Sequence, residues 1–275
     1  MRDASLVLVL ALSLAGCASV DDDDSAGSAG DDDDAAGCVV DGSGGSGGAV
    51  AGDWITVGGW STEGDAAPDY EVYVYAPANL TGPAPVAILT ANPVEPDRGE
   101  IERMMTEYIG YPDGLDAWAE QHGFLLAFVA AGFVEQGRLA FRFGFDENFM
   151  AAAIDAIGSN YDIDRNRVHL FGRSGGGRVA MQMAEVHSAR LASIMSLAGP
   201  NPFDGPPDWE RPVAGLFIHD VADPVVSRTS VQASVNAFED GGAFVETFFD
   251  YTGGHDWDSP QVEPRLADFF GRMCR

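Results

Sequence analysis

Lysine is absent from this 275-residue sequence: all fifteen basic residues are arginine, set against 43 acidic residues and a formal net charge of −28. Without lysine, Schiff-base catalysis on a lysine amine and the lysine-containing phosphate-binding loop are both excluded. A surface with this much negative charge repels anionic partners. Binding to nucleic acid and electrostatic attachment to anionic membranes are therefore not expected. Neutral or cationic substrates are therefore expected, without a cofactor.

Long apolar runs are also scarce, and the clearest one lies at the N-terminus. Residues 6–14 are apolar and lead into Leu14-Ala15-Gly16-Cys17. The run is too short for a membrane-spanning helix, which takes about 20 residues, but it is typical of a secretory signal. Leu-Ala-Gly-Cys resembles the lipobox of bacterial lipoproteins, which implies cleavage before Cys17 and attachment of lipid to that residue. A simple signal peptide with an incidental cysteine is the alternative.

The signal predicts where the protein works. Residues 1–16 are expected to be removed, leaving a chain that is anchored by lipid to a bacterial cell envelope or secreted. The N-terminal lipid would then be its only contact with a membrane.

Cysteine is rare, with three in the chain. If Cys17 carries lipid, Cys38 and Cys274 remain, and an oxidising compartment would let them pair. Such a disulfide would join the end of the tether described below to the C-terminal helix. A metal site is not expected, because neither cysteine has a partner at ligand spacing.

A tether separates the signal from the folded part. Aspartate runs at 21–24 and 31–34 and a Gly/Ser stretch at 42–48 hold almost no apolar mass. Like charges repel and glycine adds flexibility, so residues 17–52 are expected to be extended and disordered. The aspartates lack the spacing of a calcium loop. Residues 53–275 are expected to form the folded domain, as a monomer.

Strand-like and helix-like segments alternate through the folded part. This alternation predicts an α/β fold with a mostly parallel sheet covered by helices on both faces, beginning with an antiparallel edge. Predicted strands lie at 69–75, 86–89, 124–130, 168–171, 192–197, 214–218 and 244–249. Predicted helices lie at 112–122, 146–159, 177–186, 227–239 and 260–273.

One strand–turn–helix junction carries a chemical motif. The apolar residues 168–171 run into Gly172-Arg173-Ser174-Gly175-Gly176, and a helix-like segment follows at once. Such a turn presents a serine hydroxyl to a base and aims the next backbone N–H at a developing oxyanion. Ser174 is therefore the candidate nucleophile. Residues 44–48 fit the same pattern, but without a strand before them or a helix after them.

A nucleophilic serine needs a base and an acid, and in this class they follow it in the order acid, then histidine. The strand at 214–218 leads into residues 219–226, which contain Asp220 and Asp223. The strand at 244–249 leads into residues 253–257, which contain His255. Both loops follow the C-terminal end of a strand, where open α/β sheets place their sites. His255 is the candidate base, and both aspartates are candidates for the acid.

The other four histidines have simpler interpretations. His169 lies inside the strand before Ser174 and is expected in the core. His122 and His187 lie near helix ends, where a cap or a solvated face accounts for them. His219 ends a strand close to the site and is a candidate for a supporting role.

Three segments together resemble a known family. Residues 161–181, 219–226 and 253–257 are similar to bacterial secreted esterases of the polyhydroxybutyrate depolymerase and feruloyl esterase type, which are α/β-hydrolases. The resemblance implies Ser174, Asp223 and His255 as a catalytic triad. It also implies the Gly175 N–H as one oxyanion donor.

The sequence departs from this family at the second oxyanion donor. The family follows an early strand with His-Gly, whereas here residues 85–89 are followed by Thr90-Ala91-Asn92-Pro93. Ala91 or Asn92 is expected to supply the donor, because proline has no N–H.

Three functions fit these observations. The first is a lipid-anchored serine esterase acting on small or polymeric polyhydroxyalkanoate, feruloyl or acetyl esters. The second is a serine peptidase of the same fold. The third is a degenerate hydrolase that serves as a binding or structural module, for which the altered segment after residue 89 is the main support.

Overall fold

A computed structural model of the chain describes residues 38–57, 71–90, 114–129, 133–135, 138–140 and 147–275, together with Gly99, Arg103 and Met105. Cys17, Ala91, Asn92 and the two aspartate runs lie outside the described residues. Among the residues that are described, no helix has the length and apolar character needed to cross a membrane.

The described part of the chain contains ten strands, eight of which form one sheet. They are β1 Val50–Thr56, β2 Glu71–Ala76, β3 Ala84–Thr90, β4 Leu125–Val129, β5 Phe133–Glu135, β6 Arg138–Ala140, β7 Ile163–Arg173, β8 Ser193–Leu197, β9 Ala214–Ile218 and β10 Val245–Phe248. The strands β5 and β6 form a separate antiparallel hairpin.

The order of the main sheet is β1-β2-β4-β3-β7-β8-β9-β10. From β4 to β10 the neighbouring strands are parallel. At the other edge, β1 and β2 are antiparallel to their neighbours. The predicted parallel sheet with an antiparallel beginning is thus confirmed.

Five helices cover the two faces of this sheet in the described residues. They are α1 Gly114–His122, α2 Glu147–Asn160, α3 Gly175–Val186, α4 Arg228–Asp240 and α5 Ser259–Arg272. Side chains of α2, α3 and α4 pack in the cluster that contains Ile88, while those of α1 and α5 pack in the cluster that contains Leu89. The two faces alternate along β3 because successive side chains of a strand point to opposite sides.

Two strands are longer or earlier than predicted. The strand β7 begins at Ile163, although Asp164, Arg165 and Asn166 make its first half look like a loop. The strand β1 begins at Val50, inside the segment 17–52 that was predicted to be tether. Both pair with neighbours at the sheet, which outweighs a local sequence that is not typical of strands.

Residues 42–48 belong to the folded body, which corrects the prediction of a flexible linker there. The backbone N–H of Ser43 donates to Ile163 O at 2.9 Å, and the Ser43 hydroxyl donates to Tyr161 O at 2.8 Å. A Cβ at Gly45 would lie 2.4 Å from Tyr161 O, so only glycine fits against this backbone. Glycine therefore serves close packing here, rather than flexibility.

The predicted disulfide is present. Cys38 and Cys274 are bonded to each other across 236 residues of sequence. The bond lies at the end of the sheet where β7 begins, since Arg275 N donates to Asn166 O at 2.8 Å.

Candidate active site

Ser174 occupies a strained turn between β7 and α3. Its backbone angles are φ 55° and ψ −121°, in a region that residues other than glycine rarely adopt. Such a conformation costs of order 1–3 kcal/mol and persists only where the surroundings enforce it. Two bonds hold it: Ser174 N donates to Leu197 O at 2.8 Å, and Arg178 N donates to Ser174 O at 3.1 Å. Strain of this kind is typical of the nucleophile turn in hydrolases.

The turn requires a glycine at the end of β7. A Cβ at Gly172 would lie 2.5 Å from the carbonyl carbon of Gly176 and 2.5 Å from Thr90 O. Both neighbours are backbone atoms, which cannot move aside as a side chain would. The backbones of the strand and the helix therefore pass close to each other here.

Asp223 and His255 form a hydrogen-bonded pair. His255 Nδ1 lies 2.8 Å from Asp223 Oδ2. The other carboxylate oxygen, Oδ1, accepts the amides of Val225 at 2.7 Å and Val226 at 3.1 Å. Burial of Asp223 opposes its ionisation, but the hydrogen bond from His255 and these two amides outweigh that effect, so the pKa of the carboxyl lies below its ordinary value.

The ionised carboxylate fixes the proton on the imidazole. A carboxylate only accepts, so Nδ1 of His255 must carry the proton and donate it to Asp223. In the neutral ring this leaves Nε2 with a free lone pair. The pair is therefore arranged to accept a proton at Nε2.

Asp220, the other candidate acid, has a different role in the geometry. Its Oδ2 accepts the amide of Gly254 at 2.8 Å, and its Oδ1 accepts the amide of Ala222 at 2.7 Å. Its carboxylate thus ties the loop after β9 to the residue before His255. The structure pairs His255 with Asp223, and Asp220 links the two loops.

Three backbone hydrogen bonds continue the sheet beyond its strand ends and join the three loops. Ser174 N bonds to Leu197 O, and one strand along, Ala198 N donates to Ile218 O at 2.9 Å. The next, from His219 N to Phe248 O, measures 3.1 Å. Parallel strands end at the same edge, so this series leads from Ser174 to the loops of Asp223 and His255.

Side chains next to Ser174 and His255 also meet. Arg173 Nη1 lies 3.0 Å from Asp256 Oδ1, which joins the residue before the serine to the residue after the histidine. Below them, the rings of Phe171 and Trp257 lie 6.0 Å apart. These contacts bring the nucleophile turn and the histidine loop side by side.

The histidine loop rests on Tyr251, which sequence reasoning did not single out. Its buried hydroxyl donates to Asp256 O and accepts the amide of Asp258 at 2.9 Å. Burial is the main cause that raises the pKa of this tyrosine to about 12, so the hydroxyl keeps its proton at neutral pH. No sequence signal marked it, because its role depends on contacts across the turn.

The remaining histidines are buried or lie at the ends of helices. His169 is buried in the core as predicted, with Nδ1 2.8 Å from Ser193 Oγ and its ring stacked on Phe270. His219 is also buried, and its Nδ1 lies 3.9 Å from Asp223 Oδ2, which is too long for a hydrogen bond. His122 is the last residue of α1, and His187 caps the end of α3.

Of the predicted oxyanion donors, Gly175 lies within the described residues. Gly175 is the first residue of α3, where backbone N–H groups have no acceptor within the helix. Thr90, the last described residue before Ala91, is bonded to the nucleophile turn. Within the described residues, no group of three or more His, Cys, Asp or Glu is arranged to hold a metal ion.

Comparison with known proteins gives no matching family model for this chain. Over 170 residues the chain is 25% identical to the bifunctional acetylxylan esterase/xylanase XynS20E of Neocallimastix patriciarum, with 62% of this chain and 24% of that protein covered. The chain therefore spans about a quarter of the length of the curated relative it matches.

Solved structures share the fold. A truncated carbohydrate esterase from gut microbiota superposes with a TM-score of 0.60 at 15% identity, covering 82% of this chain and 98% of that one. Pyrococcus horikoshii acylaminoacyl peptidase superposes with a TM-score of 0.55 at 14% identity, covering 81% and 41%. This chain has the α/β-hydrolase fold, as its sequence predicted.

Proposed function

We propose that this chain is a serine hydrolase that cleaves carboxylic esters through an acyl-enzyme. The observation that carries the proposal is the Asp223–His255 pair, whose carboxylate is buried and whose histidine loop contacts the strained turn of Ser174 through Arg173 and Asp256. A strained serine turn, an ordered imidazole and an ionised carboxylate are the parts that nucleophilic acyl transfer needs.

Each residue of the site has a separate role in the proposed reaction. His255 Nε2 takes the proton of the Ser174 hydroxyl as its oxygen attacks the ester carbonyl, and Asp223 stabilises the imidazolium that forms. The N–H of Gly175 and a donor from Ala91 or Asn92 bind the oxyanion. His255 then gives the proton to the departing alcohol, leaving an acyl group on Ser174. Water, activated by the same imidazole, hydrolyses this acyl-enzyme and restores the serine.

Acetyl esters of carbohydrates are the first substrates we propose within the wider class of polyhydroxyalkanoate, feruloyl and acetyl esters. Support comes from the similarity to an acetylxylan esterase/xylanase in sequence. The strong negative charge of the chain favours neutral esters over anionic ones.

We further propose that the enzyme works outside the cytoplasm, anchored by lipid at Cys17. The disulfide between Cys38 and Cys274 supports an oxidising compartment. Mass spectrometry of the mature protein tests the anchor: Cys17 should be its first residue and should carry acyl chains. An unmodified N-terminus elsewhere would contradict the anchor without affecting the proposed chemistry.

Labelling with a fluorophosphonate tests the serine mechanism. The purified protein should label at Ser174, Ser174→Ala should abolish labelling, and His255→Ala should strongly reduce it. A folded wild-type protein that never labels would support the degenerate binding module instead. A panel of p-nitrophenyl esters beside peptide p-nitroanilides then separates an esterase from a peptidase, and faster turnover of peptides would contradict the ester proposal.

A further inference from the structure

Thr90 connects the strand before Ser174 to the helix after it. This residue ends β3 and is completely buried. Its Oγ1 lies 3.0 Å from Phe171 O and 2.9 Å from Gly176 O. Carbonyl oxygens only accept, so the hydroxyl shares its one proton between them. Phe171 belongs to β7 and Gly176 to α3, and the two therefore lie on either side of the nucleophile.

The main chain of Thr90 touches the same turn. Its carbonyl oxygen is one of the two atoms that leave no room for a Cβ at Gly172. The turn is thus enclosed by Thr90 from the side of β3, while Leu197 O holds Ser174 N from the side of β8. A strained conformation is stable only when its surroundings determine it, and Thr90 supplies part of those surroundings.

The position of Thr90 in the sequence adds a second link to the chemistry. It directly precedes Ala91 and Asn92, the segment proposed to supply the second oxyanion donor, and it stands where the resembling esterases have the histidine of His-Gly.

We propose that Thr90 is a positioning residue for the hydrolysis, its hydroxyl fixing the turn of Ser174 through its bonds to Phe171 O and Gly176 O. The inference rests on the proposed function and goes beyond the triad. Loss of the hydroxyl would shift Ser174 relative to His255 and the oxyanion donors, and misplacement of reacting groups by about 1 Å can cost about 100-fold in rate. Substrate binding would change little, because Thr90 is buried beneath the turn.

Two substitutions separate the hydroxyl from the shape of the side chain. Thr90→Val keeps the shape and removes the donor, while Thr90→Ser keeps the donor and removes a methyl group. Thr247→Val on the exposed edge of β10 is the matched control. We expect kcat on p-nitrophenyl acetate to fall about 10- to 100-fold in Thr90→Val with KM within about twofold. Thr90→Ser and Thr247→Val should keep most of the wild-type kcat.

Two results would overturn the proposal: a Thr90→Val enzyme with wild-type kcat, or a Thr90→Ser enzyme that loses as much kcat as Thr90→Val. If Thr90→Val does not fold, Thr90→Cys, which keeps only a weak donor, replaces it and should lower kcat. An unlowered kcat there would also contradict the role of the hydroxyl.

Amide hydrogen exchange at residues 174–178 keeps the two proposals distinguishable. If the wild-type protein does not label with fluorophosphonate, the proposed function fails. Amide exchange then remains as the test of whether Thr90 holds the turn of Ser174. Faster exchange in Thr90→Val than in Thr90→Ser would support its hold on the turn. Equal exchange would overturn it, whatever the activity.

Discussion

Among single residues, Asp223 shows most directly how the surroundings prepare a side chain for chemistry. Its carboxylate is removed from solvent, yet it accepts three hydrogen bonds, from His255, Val225 and Val226. These bonds favour the charged form more than burial opposes it. The ionised carboxylate in turn sets the tautomer of His255, on which the proposed proton transfer from Ser174 depends.

Asp223→Asn is therefore expected to lower kcat by about 10³- to 10⁴-fold, because an amide no longer selects the imidazole tautomer with a free Nε2. Steady-state kinetics on a p-nitrophenyl ester measures this. Asp240→Asn at the exposed end of α4 removes the same charge far from the network and should leave kcat unchanged. A loss below about tenfold in Asp223→Asn would contradict the role given to this carboxylate.

The pKa of Asp223 also predicts how stability depends on pH. The folded protein lowers this pKa below its ordinary value of 3.8, so the unfolded chain binds the proton more readily. The contribution of Asp223 to the free energy of unfolding is thus full above about pH 4 and is lost as the pH falls through the folded pKa. Urea unfolding from about pH 7 to about pH 2 should show wild type and Asp223→Asn converging at the acidic end. A constant difference would contradict the shift.

Among the elements, the junction of β7 and α3 determines where the nucleophile lies. Strand and helix approach so closely that Gly172 meets backbone atoms of Thr90 and Gly176. A helix that begins immediately after the strand then places Gly175 N–H at its first turn, next to Ser174. The proposed chemistry thus depends on a packing distance between two elements as much as on Ser174, Asp223 and His255.

Gly172→Ala is expected to destabilise the protein by several kcal/mol, because the added methyl group would lie 2.5 Å from two backbone atoms. Thermal unfolding and soluble yield measure this. Gly271→Ala in α5 is the matched control, since nothing lies within 4 Å of the added Cβ. A Gly-to-Ala change inside a helix is expected to add about 0.5–1 kcal/mol. Equal melting temperatures for the two variants would contradict the close approach at Gly172.

In the described residues as a whole, Cys38 and Cys274 are joined at one end of the sheet and the candidate site lies at the other. Cys38 is bonded to Cys274, and residues 42–48 lie along the beginning of β7. Ser174 follows the opposite end of the same strand.

Removal of the disulfide is expected to lower stability while leaving the catalytic geometry intact. A cross-link that closes a loop of this length contributes about 5 kcal/mol in the chain-entropy description. Cys38→Ser should show this loss in urea unfolding and retain most of its kcat where it is folded. Cys17→Ser is the control and should unfold like wild type. A Cys38→Ser protein as stable as wild type would contradict the structural role of the bond.

Local patterns in the sequence were enough for the order of the elements and for Ser174. A buried strand, a Gly-x-Ser-x-Gly turn and a helix are neighbours in the chain, so their meaning can be interpreted without knowledge of the rest. The antiparallel beginning of the sheet was predicted on the same local grounds, and the α/β-hydrolase fold on these together with the resemblance. The pairing of Cys38 with Cys274 was predicted from the count of three cysteines and an oxidising compartment. The roles of Ser174, Asp223, His255 and the oxyanion donors remain predictions.

Only the tertiary structure decided which residues distant in the sequence contact each other. From the residues alone Asp220 and Asp223 were both open as partners of His255, and only the resemblance implied Asp223, because a choice between two carboxylates on one loop depends on a histidine more than thirty residues away. Residues 42–48 looked like a linker because glycine and serine carry no apolar pattern, yet their backbone bonds to β7. Thr90 and Tyr251 gave no signal at all. Hydrogen bonds between distant segments form only once folding brings those segments together. The periodic spacing of hydrophobic residues and the residue preferences of turns, in contrast, depend on neighbouring residues and can be recognised in the sequence.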